Sequence, residues 1–148
     1  MKNTMVLAVS ILLAPTLLFA DTVYLECEVE IVAREKMAGL AEDLLGDTSA
    51  FTVSLNKANG SVSHVYSTAS RFGDFRESGV FSPSSVAYSR SFRIVTHPHI
   101  RLHQDFTIDR SDLGVQVNAV VYGSDSFLGA YVQQGKCEIF DIGKTRKF

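Results

Sequence analysis

Tryptophan is absent from this 148-residue sequence, and cysteine occurs only twice. The two cysteines, Cys27 and Cys137, are too far apart to form the Cys-x-x-Cys pairs that hold a structural zinc ion. The sequence also has no Gly-x-Ser-x-Gly motif and no phosphate-loop spacing, so it carries no signature of a nucleophilic hydrolase or of a nucleotide-binding enzyme. The sequence therefore lacks the motifs of a Cys-x-x-Cys zinc site, a nucleophile-elbow hydrolase and a phosphate-loop enzyme.

Positive charge is not in excess. The chain has 14 lysines and arginines against 16 aspartates and glutamates, a formal net charge of −2. Proteins that bind nucleic acid need a basic face for the phosphate backbone. The composition therefore argues against a nucleic-acid partner and leaves proteins and small molecules open.

The long apolar run of the sequence lies at its N-terminus. Lys2 gives a short basic start, and residues 5–19 are apolar apart from two hydroxyl side chains. A run this short, followed at once by a polar segment, is typical of a secretory signal. We predict a cleaved signal peptide over residues 1–20, no membrane span after its removal, and a single domain over residues 21–148 in the periplasm or outside the cell.

The first and last strands of the predicted domain each carry one cysteine. Thr22–Val32 alternates apolar and polar residues, which places Cys27 on the buried face of a strand. The segment Val132–Asp141 places Cys137 on a buried face in the same way. Because the compartment outside the cytoplasm is oxidising, we predict a Cys27–Cys137 disulfide between neighbouring strands. Closing so long a loop contributes about 4 to 5 kcal/mol of stability.

The residues between these strands predict turns, further strands and one helix. In Arg34–Leu45 the apolar residues recur at three- and four-residue steps, which predicts a short helix, and Asn59-Gly60 is a hairpin signal. The further strands are Phe51–Lys57, Ser61–Ser67, Val86–Val95, His99–Asp109 and Val115–Val121. The predicted fold class is mainly β: one small antiparallel β-barrel or sandwich of about seven strands with one short helix, closed by the disulfide.

Three polar residues, Arg90, Gln104 and Arg110, fall on apolar faces of the predicted strands. A β-bulge that resets the register is the simpler explanation. The alternative is a cavity behind Arg90 and Gln104, as in a barrel that carries a small ligand. The tryptophan expected in a lipocalin carrier is missing, so this alternative depends on architecture alone.

The candidate metal ligands are His97, His99 and His103. Alternate side chains of an extended chain point to one side, and His-x-His on a strand is a zinc-binding arrangement. Pro98 interrupts the strand, however, and Arg101 places a cation between the ligands. The pattern supports a metal-dependent enzyme as an alternative function, whereas the main prediction includes no cofactor.

A second candidate site is the irregular stretch Thr68–Ser85, in which aromatic rings alternate with charged residues. Such mixtures suit a contact with a protein partner. The alternative is that the rings pack into the core. The predicted partner-binding residues are Phe72, Phe75, Arg76 and Phe81.

Several short motifs occur together with the leader. They are Cys27 in the first strand, Ile108-Asp109-Arg110 before a tight turn, and Gly135-Lys136-Cys137 in the last strand. In this layout the chain resembles small exported β-proteins of bacteria and their phages, over about Val23 to Phe140. The resemblance implies the β fold and the disulfide, and it implies no activity.

The sequence therefore predicts an exported, disulfide-stabilised β-domain that is not an enzyme and that binds an unidentified protein or small molecule. A metal-dependent enzyme with a His-x-His strand and a small-ligand carrier barrel are the alternatives.

Overall fold

The computed structural model describes residues 22–35, 48–66 and 73–140. All regular structure in these ranges is β-strand. The strands are β1 (Thr22–Glu35), β2 (Thr48–Asn56), β3 (Ser61–Tyr66), β4 (Phe75–Ser78), β5 (Val80–Phe81), β6 (Ser85–Ile94), β7 (His97–Asp109), β8 (Gly114–Tyr122) and β9 (Phe127–Ile139). Within the same ranges no helix is long and apolar enough to cross a membrane.

The nine strands form one antiparallel sheet in the order β4-β3-β2-β1-β9-β8-β7-β6-β5. Strands that follow one another in the chain pair with each other, apart from β4 and β5, which form the two edges of the sheet. In addition, β1 pairs with β9. These two edge strands are separated only by Gly79, whose amide donates a hydrogen bond to the carbonyl oxygen of Gly60 (2.7 Å). The sheet is therefore nearly closed and barrel-like, rather than a sandwich of two sheets.

The structure has nine strands where the sequence predicts about seven. The additional strands, β4 and β5, lie in Thr68–Ser85, which the sequence predicts to be irregular. They are four and two residues long, too short for an alternating pattern to emerge. Their positions follow instead from pairing with β3 and β6.

The predicted helix is not seen in the described residues. Arg34 and Glu35, at the start of the predicted Arg34–Leu45 helix, belong to β1 and pair with β9. The remaining residues of the prediction lie outside the described ranges. Pairing with the long strand β9 keeps Arg34 and Glu35 in β1, where the sequence predicts the start of a helix.

The predicted disulfide is confirmed. Cys27 lies directly opposite Cys137 in the β1–β9 ladder, the two Cα atoms are 4.0 Å apart, and the sulfur atoms are bonded. Both side chains are buried. Two predictions are therefore confirmed: both cysteines lie on the buried faces of their strands, and the first strand pairs with the last.

Two apolar clusters fill the interior. The larger lies towards the end of the sheet at which β1 begins and β9 ends, and the smaller lies towards the opposite end. The larger cluster includes Leu25, Cys27, Val29, Phe51, Val53, Leu55, Val62, Val86, Tyr88, Phe106, Ile108, Val115, Val117 and Cys137. The smaller includes Ile94, Ile100, Leu102, Ala119, Val121 and Tyr131.

The predicted bulge at Arg90 and Gln104 is wrong. The β6–β7 register runs without a break from Ser85 opposite Asp109 to Arg93 opposite Arg101, and it shifts only after Arg93. Arg90 and Gln104 therefore face each other inside the barrel, where both are buried. The interior accommodates these polar groups through hydrogen bonds, which the next section describes.

Candidate functional site

Arg90 and Gln104 form the centre of a polar layer across the barrel interior. Arg90 Nε donates to Gln104 Oε1 (2.9 Å), and Arg90 Nη2 donates to the hydroxyl of Tyr66 (3.1 Å). Gln104 Nε2 in turn donates to the hydroxyl of Tyr131 (3.2 Å). Buried polar groups are costly unless they are hydrogen-bonded, and this network supplies those bonds.

Aromatic rings enclose the Arg90 guanidinium. Its central carbon lies 4.1 Å from the ring centroid of Phe75 and 3.9 Å from that of Phe92. A cation close to a ring face is attracted by the ring's negative face. Burial lowers the pKa of Arg90 and raises the pKa of Tyr66. The region in which the carrier hypothesis expects a cavity thus contains a network of bonded side chains.

His64 lies within the larger apolar cluster and is fully buried, at 0% exposure. Its ring is stacked between Phe51 and Phe75, with centroid distances of 4.1 and 4.6 Å. Its Nδ1 is 3.2 Å from the hydroxyl of Tyr88, and its Nε2 has no hydrogen-bond partner. Burial, followed by the nearby charge of Arg90, lowers the pKa of His64 from 6.5 to about 3. The ring is therefore neutral at physiological pH and acts as a packing element.

An apolar pocket opens at the end of the barrel where β1 begins and β9 ends. Its volume is about 440 Å³, within the usual range for small-molecule sites. We call it the mouth pocket. Its apolar lining consists of Val23, Leu25, Leu55, Phe81, Val86, Ile108, Leu113 and Ile139, and its charged residues are Lys57, Asp109 and Arg110.

The turn between β7 and β8 presents Leu113 to the mouth pocket. Leu113 has a φ of 58°, which is unfavourable for a residue with a side chain. Its carbonyl oxygen accepts a hydrogen bond from the Cys137 amide (2.8 Å), and its side chain packs against the larger cluster. Hydrogen bonds from Ser111 N to Asp109 and from Gly114 N to Asp112 fix the rest of the turn. The strained conformation thus places an apolar side chain at the pocket.

A second depression lies on the outer face of β2, β1 and β9 and has a volume of about 600 Å³. Its lining includes Glu26, Glu28, Glu30 and Glu138. Lys136 lies opposite Glu28 in the sheet, but its ammonium bonds the Asp112 carboxylate (3.1 Å). A row of glutamates is the ordinary lining of a solvated strand face, so this depression carries no functional assignment.

The three histidines of the predicted metal site divide into two groups. The rings of His97 and His99 have centroids 6.0 Å apart. His103 lies in a separate network, where Nδ1 is 2.7 Å from Ser91 Oγ and Nε2 is 3.2 Å from Asp105 Oδ1. Among the described residues no group of three histidine, cysteine, aspartate or glutamate side chains is placed to hold a metal ion.

The hydrogen bonds of His103 link Ser91 to Asp105. In a catalytic triad, a nucleophile, a base and an orienting acid are linked in this way. All three side chains lie on the outer face of the barrel, and none lines the mouth pocket or the outer depression. In the described ranges, no pocket wall lies at Ser91 to orient a substrate or exclude water. We therefore assign no nucleophilic catalysis to this network.

Of the four predicted partner-binding residues, the structure describes Phe75, Arg76 and Phe81, and these three have different surroundings. Phe75 stacks on His64 and is half-buried, and Phe81 packs against the larger cluster and lines the mouth pocket. Arg76 is exposed and donates to Ser61 Oγ (3.2 Å), and Phe72 lies outside the described residues. The rings of Phe75 and Phe81 are thus partly buried against the larger cluster, and their role in partner binding stays a prediction.

The mouth pocket is the site that the sequence reasoning missed. Its lining comes from the ends of several strands, which are distant in the chain and meet only when the sheet closes. One local signal was available, because Leu113 is an apolar residue within a polar turn. A comparison with known protein families finds none that matches this chain, and a search of curated proteins finds no matching relative.

Proposed function

We propose that this protein is an exported, non-enzymatic binding protein that takes up an apolar molecule in the mouth pocket. The apolar run over residues 5–19, which is typical of a secretory signal, supports export. The observation that carries the binding proposal is the pocket itself, which in the described part of the chain is open, of small-molecule size and lined mainly by aliphatic side chains. Barrel mouths are a common position for such sites.

The turn at Leu113 gives further support. A left-handed backbone at a leucine is unfavourable by about 1–2 kcal/mol, whereas glycine would adopt it freely. Unfavourable backbone conformations are concentrated at sites that bind ligands. The leucine side chain, which the turn presents to the pocket, compensates for that cost by packing on the larger cluster.

The proposal is tested with a neutral, environment-sensitive fluorophore such as N-phenyl-1-naphthylamine. The purified protein should bind it saturably, with one site per chain and an increase in fluorescence. Val23→Glu should weaken binding by about tenfold or more, because a carboxylate at the pocket is costly to desolvate. Val23 is 42% exposed, so the substitution leaves the buried core intact.

Val65→Glu is the matched control. Val65 lies on β3, is 46% exposed and lines neither the mouth pocket nor the outer depression. The Val65→Glu variant should bind the fluorophore with the affinity of the wild type. Absence of saturable binding, or equal weakening by both substitutions, would contradict the proposal.

A further inference from the structure

Among the described residues that line the mouth pocket, the charges are unequal. Lys57 and Arg110 are cationic and Asp109 is anionic. The ammonium of Lys57 makes no hydrogen bond or ion pair in the described part of the chain. A cation beside an apolar pocket favours a ligand that carries a negative charge next to its apolar part.

Asp109 forms no ion pair with Lys57 in the described part of the chain, because its carboxylate bonds the turn that follows it. Its negative charge remains, and the two cations still outnumber it among the described lining residues. Asp109 Oδ1 accepts hydrogen bonds from the amides of Ser111 (2.7 Å) and Asp112 (3.3 Å), and from the Ser111 hydroxyl. These bonds lower the pKa of Asp109, with the Ser111 hydroxyl contributing most. The Asp109 carboxylate is therefore held by hydrogen bonds within its own turn.

Arg110 retains donors for a ligand. One of its nitrogens, Nη1, donates to the carbonyl oxygen of Ser82 (2.8 Å), which fixes the side chain at the pocket. A guanidinium carries five N–H donors, so a single backbone acceptor leaves most of them available. Arginine also matches the two oxygens of a carboxylate in geometry.

We propose that the mouth pocket binds an anionic amphiphile, with its hydrocarbon chain against Val23, Leu113 and Ile139, which retain exposed surface, and its carboxylate at Lys57 and Arg110. This inference rests on the proposed function and specifies the ligand class of the same site. The aliphatic lining excludes strongly polar ligands, and the cations select among the apolar ones. A long-chain carboxylate combines both features.

The test compares three ligands with the same chain and different headgroups. Dodecanoate, dodecanol and dodecyltrimethylammonium, each below its micellar concentration, are titrated to displace the neutral fluorophore. Dodecanoate should bind about fivefold more tightly than dodecanol, the scale of one partly exposed ion pair. Dodecyltrimethylammonium should bind most weakly. Added salt should reduce the preference for dodecanoate, because the charges are exposed to solvent.

Lys57→Glu should abolish the preference for dodecanoate over dodecanol, which is measured as the ratio of the two affinities in the same variant, so that a change in the pocket's affinity for neutral ligands cancels. Arg93→Glu is the control, because it makes the same change of charge on β6 at the opposite end of the barrel. It should preserve the preference.

The outcomes separate this inference from the proposed function. Equal affinity for the three ligands, or a preference that Lys57→Glu leaves unchanged, overturns the assignment of an anionic ligand. Binding of the neutral fluorophore in the same samples would show that the pocket still functions. Failure of the fluorophore itself to bind overturns both proposals.

Discussion

Cys27 on β1 and Cys137 on β9 face each other inside the barrel, and a disulfide joins them. The two residues are 110 positions apart in the chain and are only 3% and 4% exposed. The bond therefore lies within the larger apolar cluster and links the first strand to the last. It holds together the one pairing in the sheet between strands that are remote in sequence.

Removal of this bond should lower the stability of the protein. We expect the double variant Cys27→Ala/Cys137→Ala to lose about 4 to 5 kcal/mol of unfolding free energy, because the unfolded chain regains the freedom of a long loop. Urea denaturation of the variant and the oxidised wild type measures the difference. Reductant should shift the urea midpoint of the wild type and leave that of the variant unchanged. A wild-type midpoint that reductant does not move would contradict the prediction.

His64 should make the stability depend on pH. Its pKa is about 3 in the folded protein and 6.5 in the unfolded chain, so below pH 6.5 the unfolded state binds a proton that the folded state does not. The full contribution to stability is present above pH 6.5 and is lost as the pH falls towards 3. Between about pH 7 and about pH 5 we expect a loss of about 2 kcal/mol, measured by urea denaturation across this range.

Two substitutions test the assignment of this pH dependence. His64→Phe preserves the ring between Phe51 and Phe75 and removes the titrating group, so it should flatten the profile over the same range. His103→Phe changes a histidine on the outer face, whose side chain is 38% exposed, and should retain the wild-type slope. Equal slopes for wild type and His64→Phe would show that another group is responsible.

Gly135 should tolerate no side chain. A Cβ atom at this position would lie 1.8 Å from the carbonyl oxygen of Glu28, which belongs to the backbone of β1 and cannot move aside. Gly135→Ala should therefore separate β1 from β9 and cost at least about 3 kcal/mol of stability, the upper range for overpacking. Gly123→Ala is the control, because its nearest neighbours would lie at an ordinary 3.5 Å. Thermal denaturation compares the two, and similar melting temperatures would contradict the prediction.

The sequence predicts the ends of the domain well because their chemistry is local. Alternation in β1 and in the last strand defines which face is buried, and the two cysteines are the only candidates for a disulfide. The same reasoning fails at Arg90, where an apolar face contains a cation. The partners that satisfy it, Tyr66 and Gln104, come from other strands and are not visible in its local pattern.

The candidate site is harder to predict than the fold for a related reason. The sequence predicts only that some inward-facing residues lie near strand ends, as Val23, Leu55 and Ile108 do. Only the closure of the sheet assembles them around one pocket, and no periodicity records how strand ends meet in space. The histidine spacing, by contrast, is conspicuous in the sequence, yet the structure turns His103 towards Ser91 and Asp105.

The short edge strands on either side of Gly79 also bear on how the protein behaves at high concentration. Exposed strand edges offer unpaired amides and carbonyls to which another chain can add, and this is a common route to aggregation. Here the two edges are four and two residues long and follow one another directly in the chain. Neighbouring copies thus find little exposed backbone to which they could add a strand.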